Sequence, residues 1–192
     1  MKKLLLIVLF VSCGFLSRVN AQEVKEPGSS APCASVEAHQ FDFWIGEWNI
    51  SQKILQADGT WLDLPATNRV SATLNGCALI EHWEGKVLFF WEGMKSAGQL
   101  KGLSIRAFNP KSKKWSIYWM DTHNPEFGTF EGEFKNGRGE FFRKGVTSSG
   151  GPLFSRITFF DITNTSVEWE LALSTDGEKS WNKIWTMHMQ RK

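Results

Sequence analysis

The sequence predicts an all-β protein, an antiparallel up-and-down β-barrel of about 8–10 strands with a short N-terminal helical turn. Three observations predict it. Short runs rich in β-branched and aromatic residues recur along the chain, separated by turn pairs such as Asp58-Gly59, Asn75-Gly76, Asn136-Gly137 and Asp176-Gly177. No long stretch shows the 3.6-residue apolar period of an amphipathic helix. Ten Trp and 15 Phe stand against a single Tyr in 192 residues, enough bulky apolar side chains to wall a single domain.

The first residues read as an address. Met1-Lys2-Lys3 is followed by the apolar run Leu4 to Val11, and Val19-Asn20-Ala21 supplies a small-residue cleavage site. This is the pattern of a secretory signal peptide over residues 1–21, cleaved after Ala21. Its 13 mostly apolar residues from Leu4 to Leu16 fall short of a membrane span, which needs about 20. The expected location is therefore secreted or periplasmic, with no stable membrane insertion after cleavage. Lipidation at Cys13, within Phe10-Val11-Ser12-Cys13, is the alternative. Removing Lys2, Lys3 and Arg18 turns a net charge of +2 into 19 basic against 20 acidic residues, or −1 over 171 residues. A chain so nearly neutral has no basic field to attract nucleic acid.

Residues 22–34, rich in Pro, Gly and Ser, read as a flexible leader, and residues 35–192 as one barrel domain. Cys33 and Cys77 remain after cleavage and are expected to form a disulfide in an oxidising compartment, two buried thiols being the alternative. Two cysteines and scattered histidines offer no zinc-ligand spacing, so no metal and no cofactor is expected.

The strands follow in order at residues 43–56, 69–74, 77–83, 100–108, 115–121, 127–134, 139–146, 153–162, 167–173 and 181–190, after a helical turn within 34–40. Period-2 alternation assigns their faces. Leu79, Glu81 and Trp83 share one face, as do Trp115, Ile117, Trp119 and Asp121. Trp181, Lys183, Trp185, Met187 and Met189 share another, and Glu168 and Glu170 oppose Trp169 and Leu171. Charged and aromatic residues on the same face suit a wet or ligand-filled interior better than a dry core.

The segment FDFWIGEW at 41–48 carries Gly46-x-Trp48 at the start of the first strand, which resembles the entry motif of lipocalin or calycin barrels. In such barrels this Trp closes the floor and a late Arg stacks across it, a part the resemblance gives to Arg191. Asn68-Arg69-Val70, GCALIEHW at 76–83, Gly102-Leu103-Ser104, Lys114-Trp115 and Trp119-Met120-Asp121 extend the pattern, as do Arg156-Ile157-Thr158, Ser174-Thr175-Asp176-Gly177 and Ser180-Trp181. On these pieces, which cover most of the mature chain, the protein resembles the secreted DUF1579-type, calycin-like family of uncharacterised bacterial proteins. Met189 departs from the Tyr common there, and His123 and Asn124 occupy a usually bland turn. The resemblance implies a fold and no reaction.

A small-molecule site is expected inside the barrel. Trp83, Trp91, Trp119 and Trp185 are candidates for its wall, with Trp44, Trp48, Trp115 and Trp169 assigned to the core. Arg106 with Ser104, and Arg156 with Thr158, are candidate partners for Glu81 and Glu170 in an internal network or for an acidic ligand group. An enzyme using Glu81, Asp121 or Glu170 as acid or base is the competing class, and Asp121 would orient His123 if their strand continued. A plugged barrel acting as an envelope interaction module is a third reading. A haem barrel of nitrobindin type would need His188 as axial ligand. However, Asn49-Ile50-Ser51 departs from the glycines that follow Gly-x-Trp there, and His188 alternates away from Trp185 and Met187.

Overall fold

A computed structural model describes residues 33–88 and 97–192. The signal segment, Cys13 and Trp91 lie outside the described residues. Ten strands follow one another as β1 (Gly46–Leu55), β2 (Trp61–Thr73), β3 (Ala78–Leu88), β4 (Ala97–Asn109) and β5 (Lys114–Asp121), then β6 (Gly128–Lys135), β7 (Arg138–Val146), β8 (Pro152–Phe160), β9 (Ser166–Ser174) and β10 (Asn182–Arg191). Each pairs antiparallel with its sequence neighbours, and β1 pairs with β10 to close the barrel. Closure removes the free edges that an open sheet would expose. Two 3-10 turns, Val36–His39 and Asp42–Trp44, precede β1.

The second strand begins earlier than its sequence suggests. The turn signals start it at Arg69, yet β2 runs from Trp61, with Pro65, which has no N–H to donate, opposite Ser51 of β1. Pairing with β3 starts only at Ala66, so Pro65 sits where one side of the strand is still unpaired. The last strand also departs from simple alternation. A register shift between Lys183 and Trp185 reverses the phase. Trp185 therefore faces inward with Met187 and Met189, while Lys183 turns outward to Glu170. A bulge inserts an unpaired residue, a break in pairing that residue identities do not announce.

One end of the barrel is sealed by rings. Phe41, fully buried, lies 5.0 Å from Trp115, 4.8 Å from Phe134, 5.4 Å from Phe141 and 5.3 Å from Phe159 by ring centroids. Three of these contacts are edge-to-face, the geometry favoured by aromatic quadrupoles. The turn carrying Phe41 is tied down by Trp115 Nε1, which donates to the Glu37 carbonyl at 3.1 Å.

Arg191 locks the same end. Its guanidinium carbon lies 4.3 Å from the Trp48 ring centroid, and its nitrogens donate to the carbonyls of Ile45, Phe43 and Asn164 at 2.6, 2.7 and 2.8 Å. Gly46 has φ +134°, and a Cβ there would collide with Arg191 Nη1. Gly46→Ala is accordingly expected to destabilise the barrel by about 1–3 kcal/mol, read as a lowered urea midpoint. An unchanged midpoint would show that the floor yields freely.

Cys33 and Cys77 are joined by a disulfide across a sequence separation of 44, with Cα atoms 5.2 Å apart. It fixes the chain before the first 3-10 turn to the β2–β3 connection at the sealed end. In the chain-entropy view a loop of this length contributes about 4 kcal/mol. Reduction is expected to lower the urea midpoint by a corresponding amount, and Cys33→Ser/Cys77→Ser should match the reduced protein.

Candidate functional site

Above the sealed end the barrel encloses a cavity of about 340 Å³, within the roughly 300–1,000 Å³ typical of small-molecule sites. Its inner polar groups come from three adjacent strands. Asn68 on β2 lies opposite Trp83 on β3, Glu81 lies opposite Ser104 on β4, and Leu79 lies opposite Arg106. Alternation then places Asn68, Glu81, Trp83, Ser104 and Arg106 together on the inward face.

Glu81 is held at both oxygens. Arg106 Nη2 donates to Oε2 and Asn68 Nδ2 to Oε1, each at 2.6 Å. The charged side chains are 5% and 6% exposed, so this is a buried ion pair. Burial pushes the Arg106 pKa down, while the charge and hydrogen bond of Glu81 act in the opposite direction. Phe41 and Trp44 each lie 5.0 Å from the guanidinium carbon, and Phe159 5.6 Å. The rings offset part of the charge but supply no lone pair to its N–H groups.

Four tryptophans form an arc along the wall. Trp83 meets Trp119 edge-on at 6.3 Å and Trp185 at 5.9 Å, and Trp185 meets Trp169 at 5.6 Å. Two are fixed through their indole N–H groups. Trp185 Nε1 donates to Gln52 Oε1 at 2.8 Å, and Trp119 Nε1 to Asp121 Oδ2 at 3.0 Å. Gln52, itself buried, donates in turn to the Lys86 carbonyl. Gly102 makes room for the Trp119 indole, which a Cβ at that position would strike. Trp169 belongs to this wall, not to the closed core where the sequence placed it, because it is only half-buried and faces the cavity.

Asp121 stands near the open end, where the β5–β6 connection leaves the barrel. Its Oδ1 accepts from the backbone N–H groups of His123 and Asn124, both at 2.9 Å. The strand ends there, and the Asp121 carboxylate caps the turn that follows through these backbone N–H groups. Asp176, in the β9–β10 connection, is also a turn acceptor. Hydrogen bonds from Ser180 foremost, and then from Ser174, lower its pKa to about 2.

Arg156 and Glu170 do not line the cavity. Ile157 and Phe159 face inward on β8, and Trp169 and Leu171 on β9, so their intervening neighbours occupy the outer face. There Glu170 is nearly covered, with Lys183 Nζ at 2.7 Å and Arg138 and Arg156 each at 3.9 Å. Arg156 stacks on Trp181 at 4.5 Å. The shared burial of polar and aromatic residues, which suggested one interior site, comes from two faces of the same wall. His188 also lies on the outside, exposed and paired with Glu168, so its imidazole is turned away from the interior. Among the described residues, no group of three or more His, Cys, Asp or Glu is placed to hold a metal ion.

Sequence reasoning missed Asn68, Arg143 and Ser155, which also line the cavity, and Gln52, which holds the Trp185 indole. Gln52 was legible in principle, since it alternates in step with Trp48, Ile50 and Ile54 on β1.

No family model matches the sequence, and no curated protein does. Among solved structures the chain is similar to an S-type phycobiliprotein lyase, CPES from Guillardia theta. The two are 11% identical, with 82% of this chain and 98% of that chain covered and a TM-score of 0.35. At that score the likeness says nothing about what this cavity holds.

The buried pair makes a testable energetic statement. Glu81→Leu leaves Arg106 buried without its counter-charge and is expected to lose about 3–5 kcal/mol, whereas Glu81→Leu/Arg106→Met should recover much of that loss. Urea unfolding of the two variants and the parent checks this. A double variant less stable than the single one would contradict it.

Proposed function

We propose that this chain is an exported barrel, secreted or periplasmic and of the DUF1579-type, that binds a small, partly apolar or aromatic ligand inside the barrel. One observation carries the reading: the 340 Å³ cavity, with its arc of Trp119, Trp83, Trp185 and Trp169 above a few convergent polar groups. Mostly apolar walls with a small number of polar anchors are the usual form of a ligand site. An open interior also speaks against a plugged barrel whose only role is surface contact. Export is supported by the N-terminal pattern and by a disulfide of the kind that persists in oxidising compartments.

The carboxylates favour binding over catalysis. A general base needs an accessible lone pair within reach of a substrate proton. Each oxygen of Glu81 already accepts from Arg106 or Asn68 in a side chain only 6% exposed, and the oxygens of Asp121 accept from Trp119 and the following turn, so both carboxylates serve as structural acceptors. Glu170 is on the outer wall.

N-phenyl-1-naphthylamine, an apolar aromatic probe, is expected to quench the tryptophan fluorescence of the folded protein saturably. Leu171→Trp, which fills the cavity, should weaken binding about tenfold or more while far-UV circular dichroism stays that of the parent. His188→Ala, on the outer face, should leave binding unchanged. Absence of saturable quenching by this probe and by other small aromatic compounds would remove the binding reading.

A further inference from the structure

The inner end of the cavity holds polar atoms that the ion pair does not satisfy. Arg106 Nε and Nη1, Trp83 Nε1, Trp44 Nε1, Ser104 Oγ and Asn68 Oδ1 are buried and have no hydrogen-bond partner among the described residues. Their side chains all line the same cavity. Arg106, Ser104, Trp83 and Asn68 are each at most 4% exposed, and groups so buried normally find partners.

The unmatched set is unbalanced. The arginine nitrogens and the two indole nitrogens can only donate, and the serine hydroxyl can donate as well as accept. Asn68 Oδ1 accepts only, since its amide nitrogen is committed to Glu81. Donors therefore outnumber acceptors, and the missing partner is an acceptor. Its charge follows from the ion pair. Glu81 already neutralises Arg106, and Asp121 and Arg143, the other charged groups on the lining, are one of each sign, so an entering carboxylate would add a net negative charge to the site. A neutral carbonyl offers two lone pairs and leaves the charge balance intact.

We infer that the cavity recognises ligands bearing an uncharged carbonyl group (a ketone, aldehyde, ester or amide), which seats against Ser104, Trp83 and Arg106 with the aromatic or apolar body along the tryptophan arc. This inference rests on the binding reading above and names its ligand class. In it, Glu81 is a specificity residue: its charge sets which head group the arginine accepts.

The test compares three compounds that share one body and differ in the head group: 2-acetylnaphthalene, 2-ethylnaphthalene and 2-naphthoate. Equilibrium dialysis against the purified full chain is expected to show the ketone bound about tenfold more tightly than either of the others. Ser104→Ala should shrink the preference for the ketone over the hydrocarbon. Glu81→Gln should reverse the order of ketone and carboxylate, because Arg106 then lacks a counter-charge, and a merely structural Glu81 would not produce that reversal. Where Glu81→Gln does not fold by circular dichroism, the Ser104→Ala ratio decides. Equal binding of ketone and hydrocarbon by the parent would mean that water satisfies the inner groups and would overturn the inference, leaving the binding reading in place. An unchanged order in folded Glu81→Gln would also overturn it. Binding of none of the three would overturn the binding reading itself, and this inference with it.

Discussion

Arg191 on the last strand lies directly opposite Trp48 on the first, and the rest of the barrel depends on that contact. A meander of ten strands is an open sheet until its two terminal strands meet, and an open sheet of this length leaves two unpaired edges. Arg191 reinforces the seam where the chain ends. It stacks on an indole and donates to three carbonyls from the entry turn and the β8–β9 connection, so one side chain joins separate parts of the sealed end. Gly46 lies where that guanidinium passes, at a φ that side chains rarely adopt.

Sealing one end with aromatic rings decides where the interior remains open. Phe41 and its neighbours fill the lower barrel, and the ion pair of Glu81 and Arg106 sits above them as the first polar layer. Burying those charges is tolerable because each meets the other, Asn68 completes the carboxylate, and three rings surround the guanidinium. Above this layer the tryptophan arc leaves a volume that its own side chains do not fill. Polar groups at the inner end and the aromatic wall above them give the cavity a direction.

Much of this was legible in the chain. Turn pairs placed nearly every strand, and alternation put Glu81 beside Trp83 and Ser104 beside Arg106 on faces that the structure brings together. The same rule failed for Arg156 and Glu170, because alternation assigns residues to two faces without saying which face looks inward. Outside the barrel, long arginine and lysine side chains and Trp181 cover Glu170 and mimic an interior environment. Lys183 was misplaced for another reason. A bulge before Trp185 reverses the phase of the last strand, and the local sequence carries no signal for it.

The sequence by itself determined the strand content, the antiparallel meander, the Gly46–Trp48 entry and the supply of aromatic side chains, since these depend on period, turn chemistry and composition. Only the tertiary structure decided which wall is inside, that Glu81 rather than Glu170 faces the cavity, and that Trp169 belongs to the cavity wall. The physical reason is that inside and outside are properties of the closed surface. A strand carries the same two faces whichever way the sheet curls, and the inner face is defined only once all ten strands have closed on one another.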